Sequence, residues 1–263
     1  DPNDLDALQV ISARLQALVM ECPIPRAVEV AISERALVLD PRGLGLAVRS
    51  SALGEGGQRG ETTYAGQFLS LINVLPSQAV EAYRRVVAAR FSERALSYRL
   101  STGLLEVESP MAVLFLPVIR ARASGIMYTR DPADPKSKAL WVTATRGLGL
   151  EIASGRMPAD LFVVSRRRPY ELLERHLVRK NEQLVAQAGG GLAPAALDAA
   201  EMEAPSLEAG QLKVLAHWGV RLEEHFKTPQ DVEWVVDQEG KAWILQARSL
   251  ALAEAARSRA KAR

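Results

Sequence analysis

Asp231 and Glu233 stand two residues apart near the end of the chain, and so do Gln246 and Arg248. Residues two apart in a β-strand face the same side. Between the pairs lies Asp237-Gln238-Glu239-Gly240, a stretch with turn chemistry, flanked by runs that read as strands over 231–236 and 241–247. With the turn centred on Glu239-Gly240, Asp231 falls opposite Arg248 and Glu233 opposite Gln246, so all four share one face. The alternate positions (Val232, Trp234 and Val235, with Ile244, Leu245 and Ala247) are mostly apolar and suit a core. Two readings of that face are open. Carboxylate and amide oxygens hold magnesium, which keeps waters and takes phosphate oxygens as its other ligands; an arginine alongside grips phosphate with a planar set of donors. The same residues also make a solvated face with cross-strand charge pairs, each contributing about 0.2–1 kcal/mol.

A second candidate opens at Val48-Arg49-Ser50-Ser51 and continues into a polar stretch, Ser50 to Gly66, containing Gly54, Gly56, Gly57, Gly60 and Gly66. A cation at a strand end, followed by hydroxyls and pliant backbone, can close over phosphates with N–H groups. An ordinary surface loop has the same composition. The stretch lacks the Gly-Lys-Ser/Thr of a P-loop and the strand–helix setting of a dinucleotide fingerprint. Gly147-Leu148-Gly149 is a third glycine turn, readable simply as a tight turn after a strand.

The elements that must position these residues follow from periodicity. Leu5, Leu8, Ile11, Leu15 and Leu18 recur at helical spacing, giving a first helix with a buried stripe, and a second helix follows Pro25. Leu44–Val48 and Gln67–Val74 read as strands, Pro76–Arg90 and Ser92–Thr102 as helices. From Met111 the pattern changes to short apolar runs broken by Pro, Gly and Asp, the signature of antiparallel sheet: 111–119, 124–129, 139–145, 161–165 and 170–178. The Gly- and Ala-rich stretch 186–200 reads as a flexible connection and 207–226 as a long helix, with Trp218 and Trp234 as packing residues. The outcome is an α+β chain, with a first lobe over 1–110, a second over 111–250 and a linker or tail over 251–263.

Bulk properties narrow the function. With 263 residues, 48% hydrophobic and 24% charged, the chain has material for a sizeable core. A net charge of +2, well mixed, argues for neither nucleic acid nor a membrane surface. The longest apolar run, Met111 to Ile119, contains Pro117 and is too short to span a bilayer. No signal peptide is visible, and a single cysteine, Cys22, fits a reducing, cytoplasmic setting. Three histidines and one cysteine leave little for a zinc site. His176, His217 and His225 sit among ordinary neighbours and read as structural or surface residues.

Five stretches, in order, resemble the ATP-binding domain of the phosphoenolpyruvate synthase and pyruvate phosphate dikinase family: Ala47–Glu55, Thr63–Val74, Ala123–Pro132, Thr145–Gly155 and Pro229–Leu250. The resemblance implies an ATP-grasp fold, two α+β lobes with antiparallel sheet and flanking helices, with the opening of the fold missing because no Gly-Gly-Lys precedes Ala47. It implies a binding set of Arg49, Thr129, Asp231, Glu233, Gln246 and Arg248 for Mg-ATP. Glu233 and Gln246 are then the Mg2+ ligands, Arg49 and Arg248 the catalytic arginines at the phosphates, and Ser50 to Gly66 a covering loop. Met111 to Ile119 matches the strand and hinge beside the adenine. The implied activity is a kinase half-reaction, in which ATP phosphorylates or pyrophosphorylates a histidine on a separate domain. Its partners are then the phosphohistidine and phosphoenolpyruvate/pyruvate-binding domains of the parent polypeptide, with no nucleic acid and no membrane. Departures stand at Leu116, where the family carries Gln, and at Leu150, with Glu151 one place late. They leave open an alternative, a degenerate nucleotide-binding or interaction module without phosphotransfer. A carboxylate–amine ligase fits less well, since the Val-Arg-Ser-Ser and Gln-Ala-Arg stretches look like the dikinase branch.

Overall fold

The computed structural model describes residues 4–52, 68–102, 111–134, 136–150, 152 and 155–250. The glycine-rich loop beyond Ala52, Glu151 and the tail over 251–263 lie outside the described residues. The chain forms two compact units: Asp1–Val118 with Ala186–Leu192, and Ile119–Val185 with Ala193–Arg263.

In the first unit, α1 (Leu5–Glu21) starts where Asp4 accepts a hydrogen bond from the Ala7 N–H, 3.0 Å, satisfying one of the donors a helix start leaves open. Its buried residues are Leu8 and Ser12, while Ile11 and Leu18 are exposed. The expected Leu5-to-Leu18 stripe therefore lies askew to the face that packs. After α2 (Arg26–Leu39), the Asp40 carboxylate accepts from the N–H groups of Leu44 and Gly45 and turns the chain into β1 (Leu46–Ala52). Gly45 is required there: its φ is +81° and a Cβ would come within 2.3 Å of Asn73 Oδ1. β1 runs past the expected end because Ser50 and Ser51 pair with Val113 and Ala112 of β3 (Met111–Pro117). With β2 (Ser70–Val74) it makes an antiparallel three-stranded sheet, order β2-β1-β3. Leu46, Val48 and Val74 bury against Ala79, Ala82 and Val86 of α3 (Ala79–Ala88), and α4 (Glu93–Thr102) follows.

The second unit is built on β4 (Ala121–Tyr128), β5 (Ala139–Arg146), β6 (Asp160–Ser165) and β7 (Leu172–His176). Between β7 and the helix that follows, the stretch expected to be a flexible connection is partly ordered. β8 (Glu182–Ala186) and β9 (Leu192–Ala196) form a two-stranded ribbon, and α5 (Ala199–Glu203) is capped by Asp198. Then come α6 (Ala209–Phe226), β10 (Gln230–Asp237) and β11 (Ala242–Ser249). The six-stranded sheet has the order β11-β10-β4-β5-β6-β7, antiparallel throughout.

α6 covers one face of this sheet. Leu212, Leu215 and Ala216 pack with Met127, Leu140, Val142, Phe162, Val232 and Trp234. The approach is close at Gly219, where a Cβ would stand 2.8 Å from Leu140 Cδ2 and 2.9 Å from Met127 Sδ. Trp234 is a core residue as expected, but Trp218 is 47% exposed on α6. Because α6 claims one face, the residues that alternate with this core fall on the other. Among the described residues no helix is long and apolar enough to cross a membrane. This is the α+β, antiparallel architecture expected of an ATP-grasp domain.

Candidate functional site

β10 and β11 form the expected hairpin. Asp231 lies opposite Arg248 and Glu233 opposite Gln246, and the four residues share the face away from α6. The route to that register differs in one detail. Near the turn Trp234 pairs with Ile244 and Val236 with Ala242, so the strands are out of step by one residue until β11 bulges between Ile244 and Gln246, opposite Trp234 and Glu233. The extra residue is Leu245, 44% exposed rather than in the core. A bulge re-aims the side chains beyond it; here it places Gln246 and Arg248 beside the two carboxylates while Ile244 stays with the core. β4 extends the face, since Asp231 also pairs with Tyr128 and Glu233 with Ile126. On β5, Trp141 pairs with Tyr128 and Thr143 with Ile126. Two rows therefore cross the sheet: Arg248, Asp231, Tyr128, Trp141 and Gln246, Glu233, Ile126, Thr143.

Arg248 and Asp231 are locked together. Nε and Nη2 of Arg248 both donate to Asp231 Oδ2, at 2.8 and 2.7 Å, with the side chains 24% and 11% exposed. A guanidinium has five N–H donors. Asp231 takes the Nε–Nη2 edge, so the other edge is held in a fixed direction with donors to spare, as bidentate recognition of a phosphate needs. Burial is the largest influence on the Asp231 carboxyl and raises it above its ordinary value; Arg248 pulls it down and Glu233 pushes it up. Its second oxygen, Oδ1, is buried with no hydrogen-bond partner. A buried acceptor left open costs free energy that a cation or donor from a ligand would recover. Among the described residues no three His, Cys, Asp or Glu side chains converge as a metal cage. Magnesium sites commonly use one or two carboxylates and substrate phosphates for the rest, and the oxygen donors of Glu233 and Gln246 fit that pattern.

The remaining expected site residues are Arg49 and Thr129. Arg49 is on β1 in the first unit, half-buried, opposite Ser70 and Leu114. Leu116 pairs with Ala47 on the same sheet. Leu150 is exposed. Thr129 is fully buried, and its hydroxyl is already engaged: it donates to Glu223 Oε2 of α6 at 2.7 Å and accepts from the Gln230 N–H at 2.8 Å. Within the second unit the structure thus brings Asp231, Glu233, Gln246 and Arg248 together and ties Thr129 to the helix that covers the opposite face.

Glu223 was not visible from the sequence. It receives Arg130 through Nε and Nη2 (3.0 and 2.9 Å) and Arg166 through Nη1 and Nη2 (2.7 and 2.9 Å), while Arg166 also donates to the Thr129 carbonyl. Arg130 belongs to the Ala123–Pro132 stretch, but its acid lies 93 residues on, so no local pattern links them. Burial alone would raise the Glu223 carboxyl; hydrogen bonds from Arg166, Thr129 and Arg130, with the Arg166 charge, outweigh it and the net shift is downward from 4.5. A folded-state value below the unfolded one means that the cluster's stabilisation is complete above the unfolded value and is lost as pH falls through the folded one. Urea unfolding across the acid range should show the wild type losing stability below about pH 4.5. Glu223→Gln should be less stable at neutral pH and flatter over that range; parallel profiles would contradict the assignment.

The histidines form no second centre. His217 meets the Tyr170 hydroxyl at 3.2 Å, His176 is exposed beside Glu174, and His225 lies edge-on to Phe226. The family model for the pyruvate phosphate dikinase AMP/ATP-binding domain matches residues 1–263. A rifampicin phosphotransferase from a Streptomyces species is 32% identical over 251 residues, covering 95% of this chain and 28% of that protein. A probable phosphoenolpyruvate synthase from Methanocaldococcus jannaschii is 29% identical over 255 residues, 95% of this chain and 21% of that one. A phosphoenolpyruvate synthase from Deinococcus radiodurans is 30% identical over 258 residues, 94% and 32%. The chain spans less than a third of the length of these relatives. Matched along its whole length by that family model, the chain belongs to the pyruvate phosphate dikinase AMP/ATP-binding domain family.

Proposed function

We propose that this chain binds Mg-ATP and transfers a phosphoryl or pyrophosphoryl group to a histidine of a separate domain, the first half-reaction of a phosphoenolpyruvate synthase-like enzyme. The observation that supports it most is the hairpin register, which sets Asp231, Glu233, Gln246 and Arg248 on one sheet face with Asp231 Oδ1 buried and open. Glu233 and Gln246 would hold magnesium, which supplies charge neutralisation of the phosphate oxygens when bound. Arg248, aimed by Asp231, offers its free edge to the transferring phosphate, and Arg49 is a second phosphate contact. Thr129 acts in this reading as a buried support of the strand end rather than through its hydroxyl, which Glu223 and Gln230 occupy.

The chemistry asks for no nucleophile in this chain. A histidine ring nitrogen of the partner domain attacks the γ-phosphorus and ADP leaves, or the β-phosphorus and AMP leaves. In either case a P–N bond forms as a P–O bond breaks. Positioning and charge stabilisation account for most catalysis of this type. The retained cation and carboxylate set favours this over a degenerate module.

The test is isotopic. Mg-ATP labelled at the β or γ position is incubated with the chain and a histidine-bearing phosphocarrier domain from one of the long relatives. Acid-labile, alkali-stable label on that domain is the expected result. Label from γ alone means phosphoryl transfer, and label from both positions means pyrophosphoryl transfer. A chain that binds nucleotide yet labels nothing would contradict the proposal.

A further inference from the structure

The family resemblance singles out Thr129, yet the register puts its neighbour Tyr128 on the face that carries the acidic pair. It is directly opposite Asp231, two strands from Arg248 across β10, and adjacent to Trp141 on the other side. Side chains opposite each other across antiparallel strands have Cβ atoms about 4.5–5.5 Å apart. A tyrosine hydroxyl stands farther from its backbone than an aspartate oxygen, and at about the reach of a guanidinium. Asp231 and Arg248 both act electrostatically on the phenol. It does not donate to Asp231, whose Oδ1 has no hydrogen-bond partner, and none of the hydrogen bonds among the described residues engages its hydroxyl. A donor and an acceptor on paired residues are thus both left open among the described residues.

We infer that the Tyr128 phenol is a further ligand-binding group of this face, donating a hydrogen bond to a phosphate oxygen of the bound nucleotide. The inference rests on the nucleotide reading above and adds a residue to it. Phosphate suits the position. Arg248 presents its free edge in the same row, and a neutral O–H adds a donor without a second cation beside the pair. Burial raises the phenol above its ordinary value, Asp231 adding and Arg248 subtracting, so at neutral pH it is a donor.

Tyr128→Phe removes the hydroxyl and keeps the ring. Calorimetric titration of Mg-ATP into wild type and Tyr128→Phe, with thermal melts of both chains free of ligand, tests the inference. The expected result is Mg-ATP affinity lowered about tenfold or more, the worth of a hydrogen bond to a charged group, with the melt unchanged. Equal affinity in the two chains overturns the inference and leaves the nucleotide reading standing. Weaker binding accompanied by a lower melt also overturns it, because the phenol then acts on the fold. A folded wild type that binds no Mg-ATP overturns both.

Discussion

Arg248→Ala is expected to reduce phosphohistidine formation by about 10³-fold or more, the scale on which a phosphate-gripping arginine acts in phosphoryl transfer. Arg248→Lys should recover little of it. Lysine offers a compact charge on a flexible stem and cannot hold Asp231 with one edge while presenting another to phosphate. The wild-type pair uses two N–H groups on a single carboxylate oxygen, and that division of the guanidinium is what the lysine variant loses. Stability will move as well. Removing the arginine leaves Asp231 largely buried beside Glu233; a fully buried pair broken in this way costs about 3–5 kcal/mol, and less here because Arg248 is part-exposed. Burial already raises the Asp231 carboxyl. In the alanine variant the penalty is present while Asp231 is charged and shrinks as falling pH lets it take up a proton. Rates from the isotopic assay and urea unfolding at two pH values separate the catalytic loss from the structural one. Rates within tenfold of wild type would remove Arg248 from the chemistry.

The second large effect lies away from the phosphate face. Lys180 and Asp160 are both fully buried, their ion pair 2.7 Å long. Asp160 Oδ1 also accepts from the Val178 N–H at 3.0 Å and Oδ2 from the Ser206 N–H at 2.8 Å, while Lys180 Nζ donates to the Val178 carbonyl at 2.8 Å. The Lys180 N–H reaches the Met202 carbonyl of α5, so the pair fastens the start of β6 to the segment between β7 and β8 and to the chain just after α5. Lys180→Met strips the cation from a desolvated carboxylate and should cost about 3–5 kcal/mol of unfolding free energy. Asp160→Asn should cost a similar amount. The double variant should lose less than the sum of the two, because the second change removes the charge that the first left unpaired. Urea melts of the three variants give the answer, and single variants within about 1 kcal/mol of wild type would mean that the pair contributes nothing net.

The hairpin face was legible in the sequence because it depends on two local rules: strand alternation and a short turn. Even so, the pairing of 231 with 248 holds for a reason the sequence hid. The strands leave the turn one residue out of step, and the bulge at Leu245 restores the register before the site is reached. The same bulge turns Leu245 outward, against its apolar character. Which of Tyr128 and Thr129 faces the site could not be read locally either. Adjacent strand residues always point to opposite faces, and the choice is made by the pairing of β4 with β10. Lys180–Asp160 and the Glu223 cluster were invisible because their partners lie 20 and up to 94 residues apart in sequence. Composition misled at 186–200, where glycine and alanine read as a connection although Leu192–Ala196 pairs as a strand. Periodicity misled mildly in α1, where the leucine stripe is offset from the packed face.

Calorimetric titration of Mg-ATP into the chain, with Glu233→Ala alongside, tests most directly whether the hairpin face is a nucleotide site. Glu233 is not one of the two members of the Arg248–Asp231 pair, so Glu233→Ala removes an oxygen ligand and leaves both partners of that pair in place. The expected result is saturable binding by the wild type that Glu233→Ala abolishes or weakens at least tenfold, with an unchanged melt. Equal binding by the two chains, or none by a folded wild type, would contradict a magnesium–nucleotide site on this face.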